Sequence, residues 1–172
     1  MVFIISDGMG KGSRAALDGA MGAGLLSKLL SAGFGFDSSL KVVNSALLVK
    51  SHEESLATLD CVRVDLFSGK CEFYKAGAPR SYIVKDDRLT KCELTSMPAG
   101  ILRGVEFAKR TTVLNTDDEI IMMSDGVTDV GNEWLESFYA STLRLTLTKK
   151  QRRYSKLHLK TATKSIETIC QS

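Results

Sequence analysis

Ile4-Ile5-Ser6-Asp7-Gly8-Met9-Gly10-Lys11-Gly12 is the stretch on which the fold turns. Val2 to Ile5 is a short β-favouring run, and Ser6-Asp7-Gly8 ends it. A Gly-rich turn leads into a helical stretch from about Ser13 to Ser31, where Leu17, Met21, Leu25 and Leu29 recur every four residues. The same design returns downstream. Met122-Met123-Ser124-Asp125-Gly126 is again an apolar strand that runs into Ser-Asp-Gly. A strand end holds a carboxylate rigidly, and the following Gly lets the chain turn and brings its carbonyl to the same point. On neighbouring strands, two such ends converge two carboxylates, which repel unless a cation lies between them. Carboxylates, carbonyls and water suit Mg²⁺ and Mn²⁺. A metal pair acidifies a bound water and clamps a phosphoryl oxygen. Taken singly, each Asp-Gly is also an ordinary turn.

Between the two motifs the period changes. Gly19, Gly22 and Gly24 each weaken the first helix by about 1 kcal/mol relative to Ala, and Gly33 and Gly35 end it. Ser38 is placed to cap a second helix with Leu40, Val43 and Leu47 on one face. From about Leu56 the pattern alternates. Val62, Val64 and Leu66 share a strand face, with Asp60 at the strand start, where a turn or strand-end carboxylate is the expected role. Ser68-Gly69 turns into Lys70–Ala76. Gly77-Ala78-Pro79 breaks the run, Ser81–Lys85 resumes it, and Asp86-Asp87 turns into Leu89–Leu94. Val105–Leu114 and Glu119–Met123 are two further strands. The second is apolar on both faces and is expected to lie centrally. Helices followed by antiparallel strands argue an α+β fold.

The Gly-rich turn excludes two nucleotide motifs. A Walker A loop needs Ser or Thr after Gly-Lys, and Lys11 is followed by Gly12; a dinucleotide fingerprint needs Gly where Ser13 stands. Lys11 and Arg14 read either as solvated cations at the helix entry or as help with an anionic substrate. Asp129 either approaches the same site as Asp125 or caps the next helix. His52 is assigned no chemistry.

The chain has 172 residues, of which 44% are apolar, 7% aromatic and 25% charged. That is enough apolar material for one globular core. No apolar run approaches the ~20 residues of a transmembrane helix, and no signal peptide is read at the start. Cys61, Cys71, Cys92 and Cys170 form no CxxC pair, so they read as reduced thiols rather than zinc ligands. The formal net charge of +3 divides unevenly. Residues 1–131 carry 15 Lys and Arg against 17 Asp and Glu, and residues 132–172 carry 8 against 3. Residues 136–172 are rich in Ser, Thr, Lys and Arg, and their leucines at 143, 145, 147, 157 and 159 alternate without a turn pattern, as in a solvated tail. Charge alone would suit nucleic acid, but with little aromatic interleaving no nucleic-acid partner is expected.

The motifs in order resemble a known family. They are Ile5–Gly12 before a helix, Val43-Asn44-Ser45-Ala46-Leu47-Leu48, Ala57-Thr58-Leu59-Asp60, Lys75-Ala76-Gly77-Ala78-Pro79, Met97-Pro98-Ala99-Gly100-Ile101-Leu102, and Met122–Asp129. Together they resemble the phosphatase module of the stage II sporulation protein E family, within the PPM class of metal-dependent serine/threonine phosphatases, over roughly residues 2–135. The resemblance implies an αββα sandwich of two antiparallel sheets. It also implies that a metal-bridged water attacks a phosphoserine or phosphothreonine directly, with Mn²⁺ or Mg²⁺ as cofactor. By motif match Asp7 and Asp125 are the catalytic carboxylates; Asp7 bridges two metals, the Gly8 carbonyl ligates one, and Asp125 holds the other. The implied partner is a phosphorylated protein of the anti-anti-sigma factor type. The helix after the first motif has a regulatory role in that family.

Two departures qualify this expectation. The family ends its module with an Asp-Asp-[Met/Ile]-Thr strand that completes a metal site, and residues 136–172 contain no aspartate. The family also has a further strand and a regulatory, membrane-spanning region upstream of the first motif. The chain therefore reads as a partial domain over 1–135 with a divergent tail over 136–172, cytoplasmic by itself. A frame change near residue 136 is one origin for the tail, and it requires the downstream nucleotides to encode Asp-Asp-x-Thr in another frame. Sheet edges left open by missing strands favour self-association. The alternative function is a catalytically inactive phosphatase-like fragment that binds a protein partner.

Overall fold

The computed structural model describes residues 1–50, 55–85, 88–104, 106–128, 131 and 133–148. The element order is β1 (Val2–Gly8), α1 (Ser13–Ser31), α2 (Phe36–Lys50), β2 (Ala57–Val64), β3 (Lys70–Ala76), β4 (Ser81–Lys85), β5 (Arg88–Cys92), β6 (Ala108–Val113), β7 (Glu119–Ile121), α3 (Asp125–Thr128) and α4 (Glu133–Thr148). The strands form two antiparallel sheets, ordered β1-β2-β3-β6 and β5-β4-β7.

Side-chain alternation along the strands sorts the core into three layers. Leu59 and Cys61 of β2, with Tyr74 and Ala76 of β3, face α1 and α2, where they pack with Leu26, Leu40, Val43 and Leu47. The opposite faces of the same strands carry Val62, Cys71 and Phe73, which meet Ile83 and Cys92 of the other sheet. Beyond that sheet, Tyr82 and Val84 pack with Met123, Leu135 and Tyr139 of the α4 region. The layers therefore run helix, sheet, sheet, helix. This is the αββα order, and β2 and β3 are buried nearly throughout because both of their faces are covered.

The glycines of α1 have a packing reason. A Cβ on Gly19 would lie 2.8 Å from the Gly8 nitrogen, and one on Gly22 would lie 3.1 Å from Ser6 Oγ. Gly8 is equally confined, since a Cβ there would fall 1.7 Å from the Ala15 carbonyl oxygen. The helix thus lies backbone to backbone on the end of β1. At Gly24 a Cβ would meet nothing within 4 Å, so only the propensity cost operates there.

Three expectations are corrected. The second helix begins at Phe36, before Ser38, and the Ser39 amide already donates to the Gly35 carbonyl at 2.9 Å. Asp60 lies in the middle of β2, not at a strand start, and is buried. β7 pairs with β4 alone among the described strands and is an edge of its sheet, not its centre. It is apolar on both sides because Ile120 faces the inter-sheet layer and Ile121 the α4 layer. Both faces are covered although one edge is open.

α4 runs through residue 136, where the composition changes, and its Leu135 and Tyr139 are buried. The leucines at 143, 145 and 147 lie within this helix. Those at 157 and 159, with Cys170, His52, the Asp86-Asp87 turn and Asp129, lie outside the described residues. Among the described residues, no helix is long and apolar enough to cross a membrane.

Candidate active site

Asp7 is the penultimate residue of β1, and its backbone is pinned to β2. The Asp7 amide donates to Thr58 Oγ1 at 3.2 Å, and the same hydroxyl donates back to the Asp7 carbonyl at 3.3 Å. Beyond the strand, the Met9 amide donates to the Leu56 carbonyl at 2.9 Å, which sets the exit of the turn. Asp125 does not end a strand as expected: β7 stops at Ile121, and Asp125 opens the short helix α3. Its Oδ1 accepts the Gly126 amide at 2.7 Å, and its carbonyl accepts Thr128 Oγ1 at 3.1 Å.

The two carboxyl groups come within hydrogen-bonding reach of each other. They do so from different sheets, β1 at the edge of one and the segment after β7 at the edge of the other, rather than from neighbouring strands as the sequence suggested. Burial raises the Asp7 pKa above its ordinary value. The hydrogen bond and like charge of Asp125 push it further, while the Gly8 amide works against the shift. Asp7 is half-buried and Asp125 exposed, so the site opens to solvent on the Asp125 side.

This donor set fits a hard divalent cation. Two carboxylates that repel are held together, and no thiol or imidazole of the described residues joins them in a cluster. Among the described residues no cluster of three or more His, Cys, Asp or Glu side chains is found, so two carboxylates are what the described chain supplies. Mg²⁺-type sites do use one or two carboxylates and complete their shell with water and phosphate oxygens. Lys11 and Arg14 are exposed at the entry to α1.

Residues quoted within the sequence motifs, but given no role there, hold the surrounding segments together. Asn44, on the buried face of α2, accepts the Gly100 amide at Oδ1 (2.9 Å) and donates from Nδ2 to the Leu102 carbonyl (2.9 Å). Ala99 in turn exchanges two backbone hydrogen bonds with Ala57, the start of β2, whose next residue Thr58 pairs with Asp7 of β1. The signal in the sequence was an Asn between Val43 and Leu47 on an apolar face, a position that demands buried partners. Asp18, buried on α1, forms an ion pair with Lys50 at the end of α2.

The profile of the family described as stage II sporulation protein E (SpoIIE) matches residues 1–171. The chain belongs to the stage II sporulation protein E family. It is 35% identical over 123 residues to the stage II sporulation protein E of Bacillus subtilis strain 168, which covers 72% of this chain and 15% of that protein. The chain thus spans a small part of that relative's length. The structure of the PP2C phosphatase domain with a fragment of the regulatory domain of Bacillus subtilis SpoIIE superposes with a TM-score of 0.66 at 34% identity, covering 73% of this chain and 37% of that one. The catalytic domain of the serine/threonine phosphatase PstP, solved in complex with two manganese ions, superposes with a TM-score of 0.66 at 18% identity, covering 84% and 79%. The SpoIIE fold is therefore that of the PP2C phosphatase domain, as the order of motifs implied.

Proposed function

We propose that this SpoIIE-family chain carries the core of a metal-dependent protein serine/threonine phosphatase. It hydrolyses a phosphoserine or phosphothreonine on a protein, of the anti-anti-sigma factor type. The observation that carries the reading is the meeting of Asp7 and Asp125 from opposite sheets. Like charges are assembled side by side only where something offsets them, and a divalent ion with a phosphoryl group does so. Family membership and the likeness to phosphatase domains support it.

In this reading Asp7, the Gly8 carbonyl and Asp125 hold Mn²⁺ or Mg²⁺. The ion supplies an acidified water and positive charge opposite the phosphoryl oxygens. The protein's own work is orientation. Thr58 fixes the height of Asp7 on β1. The close seat of α1 on Gly8 presents that residue's carbonyl, and the Gly126 amide steadies the Asp125 carboxylate. Residues 1–135 form the phosphatase module, and 136–172 a segment of divergent composition.

Two described carboxylates, rather than three, favour a second reading: a phosphatase-like fragment that binds a phosphorylated partner without turning it over. Release of phosphate from a phosphoserine protein at millimolar Mn²⁺, measured beside Asp7→Ala, separates the two. Turnover that disappears in the variant supports the enzyme. Retained binding without turnover in folded protein supports the binding module and removes the enzyme reading.

A further inference from the structure

Beside the acidic pair lies an open groove of about 460 Å³. One wall is the β3–β4 connection from Gly77 to Arg80, the other is the stretch from Glu93 to Ser96 after β5, and Thr128 closes one end. Thr128 Oγ1 is bonded to the Asp125 carbonyl, so the groove runs to within one helical turn of the acidic pair.

The walls are tied to each other and to the buried interior. Ser96 Oγ donates to the Lys75 carbonyl at 2.8 Å and accepts the Gly77 amide at 3.2 Å. Lys75 Nζ donates to the Pro79 carbonyl at 2.7 Å, and Ser81 Oγ donates to Asp60 Oδ2 at 2.9 Å. Arg80 therefore sits between two anchored residues. Gly77 has a φ of 60°, and a Cβ there would lie 2.7 Å from Pro98 Cγ, so the turn has little room to rearrange. A groove built this way needs little ordering when a ligand arrives.

Arg80 and Glu93 are the charged residues among those lining it, and they stand side by side just beyond the Ser81–Cys92 pair of β4 and β5, with Nη2 and Oε1 3.5 Å apart. Their side chains are 34% and 63% exposed. An exposed pair at this separation contributes little, because solvent screens it and two side chains must be ordered to make it. A ligand carboxylate that replaces Glu93 loses little and gains the bidentate geometry of the guanidinium fork. Arg80 is the better seated of the two, so it is Arg80 that selects.

We propose that this groove seats an extended segment of the phosphorylated substrate protein, in which an acidic side chain near the phosphorylated residue takes Arg80 in exchange for Glu93. The proposal rests on the phosphatase reading for what stands at the acidic pair.

The test uses the full chain and two fluorescein-labelled phosphothreonine peptides, one flanked by Glu and the other by Lys at the same positions. Binding is read by fluorescence anisotropy without metal, and hydrolysis of p-nitrophenyl phosphate, which has no flanking segment, is read separately with Mn²⁺. The Glu peptide is expected to bind about tenfold more tightly, the scale of one charge-assisted hydrogen-bonded pair. Arg80→Ala abolishes that preference, and Glu93→Gln tightens the Glu peptide severalfold. Equal binding of the two peptides, no measurable binding of either, or a preference that survives Arg80→Ala overturns the proposal. A preference with no p-nitrophenyl phosphate hydrolysis leaves the groove standing and overturns the phosphatase reading. Hydrolysis without preference does the reverse.

Discussion

Lys75 Nζ stands 2.6 Å from Asp60 Oδ2, with both side chains sealed from solvent between the two sheets. The residues face each other in register on β3 and β2. Ser81, the first residue of β4, joins from the opposite sheet by accepting from Lys75 at 2.8 Å and donating to Asp60 at 2.9 Å. Burial raises the Asp60 pKa, against the pull of Lys75 and Ser81. One polar knot thus links the sheets and, through the Pro79 carbonyl, shapes the groove near Thr128 and the candidate site.

Removing one member of that knot strands a buried charge. Lys75→Met is expected to destabilise the chain by about 3–5 kcal/mol. Adding Asp60→Leu to it should recover most of the loss, because an apolar pair leaves no charge without a partner. Urea midpoints of the single and double variants check this. Equal midpoints for wild type and Lys75→Met would show that the knot contributes no stability.

Gly19 and Gly24 make an opposed pair. Gly19→Ala forces a methyl to within 2.8 Å of the Gly8 amide nitrogen, which cannot yield without moving α1 off β1. A net loss of about 1–3 kcal/mol is expected. Gly24→Ala meets nothing and should gain up to about 1 kcal/mol of helix propensity. Thermal melts of the two variants should shift in opposite directions.

Cation binding has a readout that does not depend on turnover. Mn²⁺ should raise the wild-type melting temperature, since a ligand that binds the folded state stabilises it. Asp7→Asn and Asp125→Asn should remove most of that rise. Without metal, Asp7→Asn should melt no lower than wild type, because it relieves the repulsion at the site. A full Mn²⁺ response in both variants would place the ion elsewhere.

Glu72 supplies a pH signature. Hydrogen bonds from Lys70 (3.0 Å) and Lys109 (3.4 Å) hold its carboxyl below the usual 4.5. A lowered pKa contributes stability that is present above about pH 4.5 and lost as pH falls through the folded value. Glu72→Gln should therefore cost about 0.5–1 kcal/mol at pH 7, discounted for the exposed lysines. The difference should vanish as the solution is acidified past that range. A cost that stays constant from pH 7 to pH 3 would assign it to packing instead.

Much of this molecule was legible in order. The Ser-Asp-Gly ending at Asp7, the helix of 19 residues between Ser13 and Ser31, and the hairpin at Ser68-Gly69 all follow from local rules that act over a few residues. The burial of Val62, Phe73 and Ile83 follows from alternation. The sequence by itself thus determined the first two helices and most of the strands, which of their faces are apolar, and the carboxylate that ends β1.

What it left open depends on which element lies against which. Alternation says that two faces of a strand are covered, not whether its edges are, so Glu119–Ile121 reads as central yet stands at an edge. A lysine in a strand reads as solvated until its partner is known, and Asp60 lies 15 positions before Lys75 on another strand. Gly19 and Gly22 look like defects in a helix until β1 is laid beneath them. The meeting of Asp7 with Asp125 is of the same kind. Asp7 is placed by the end of β1 and Asp125 by the start of α3, but their approach is set by the stacking of two sheets, a long-range packing that no local pattern encodes.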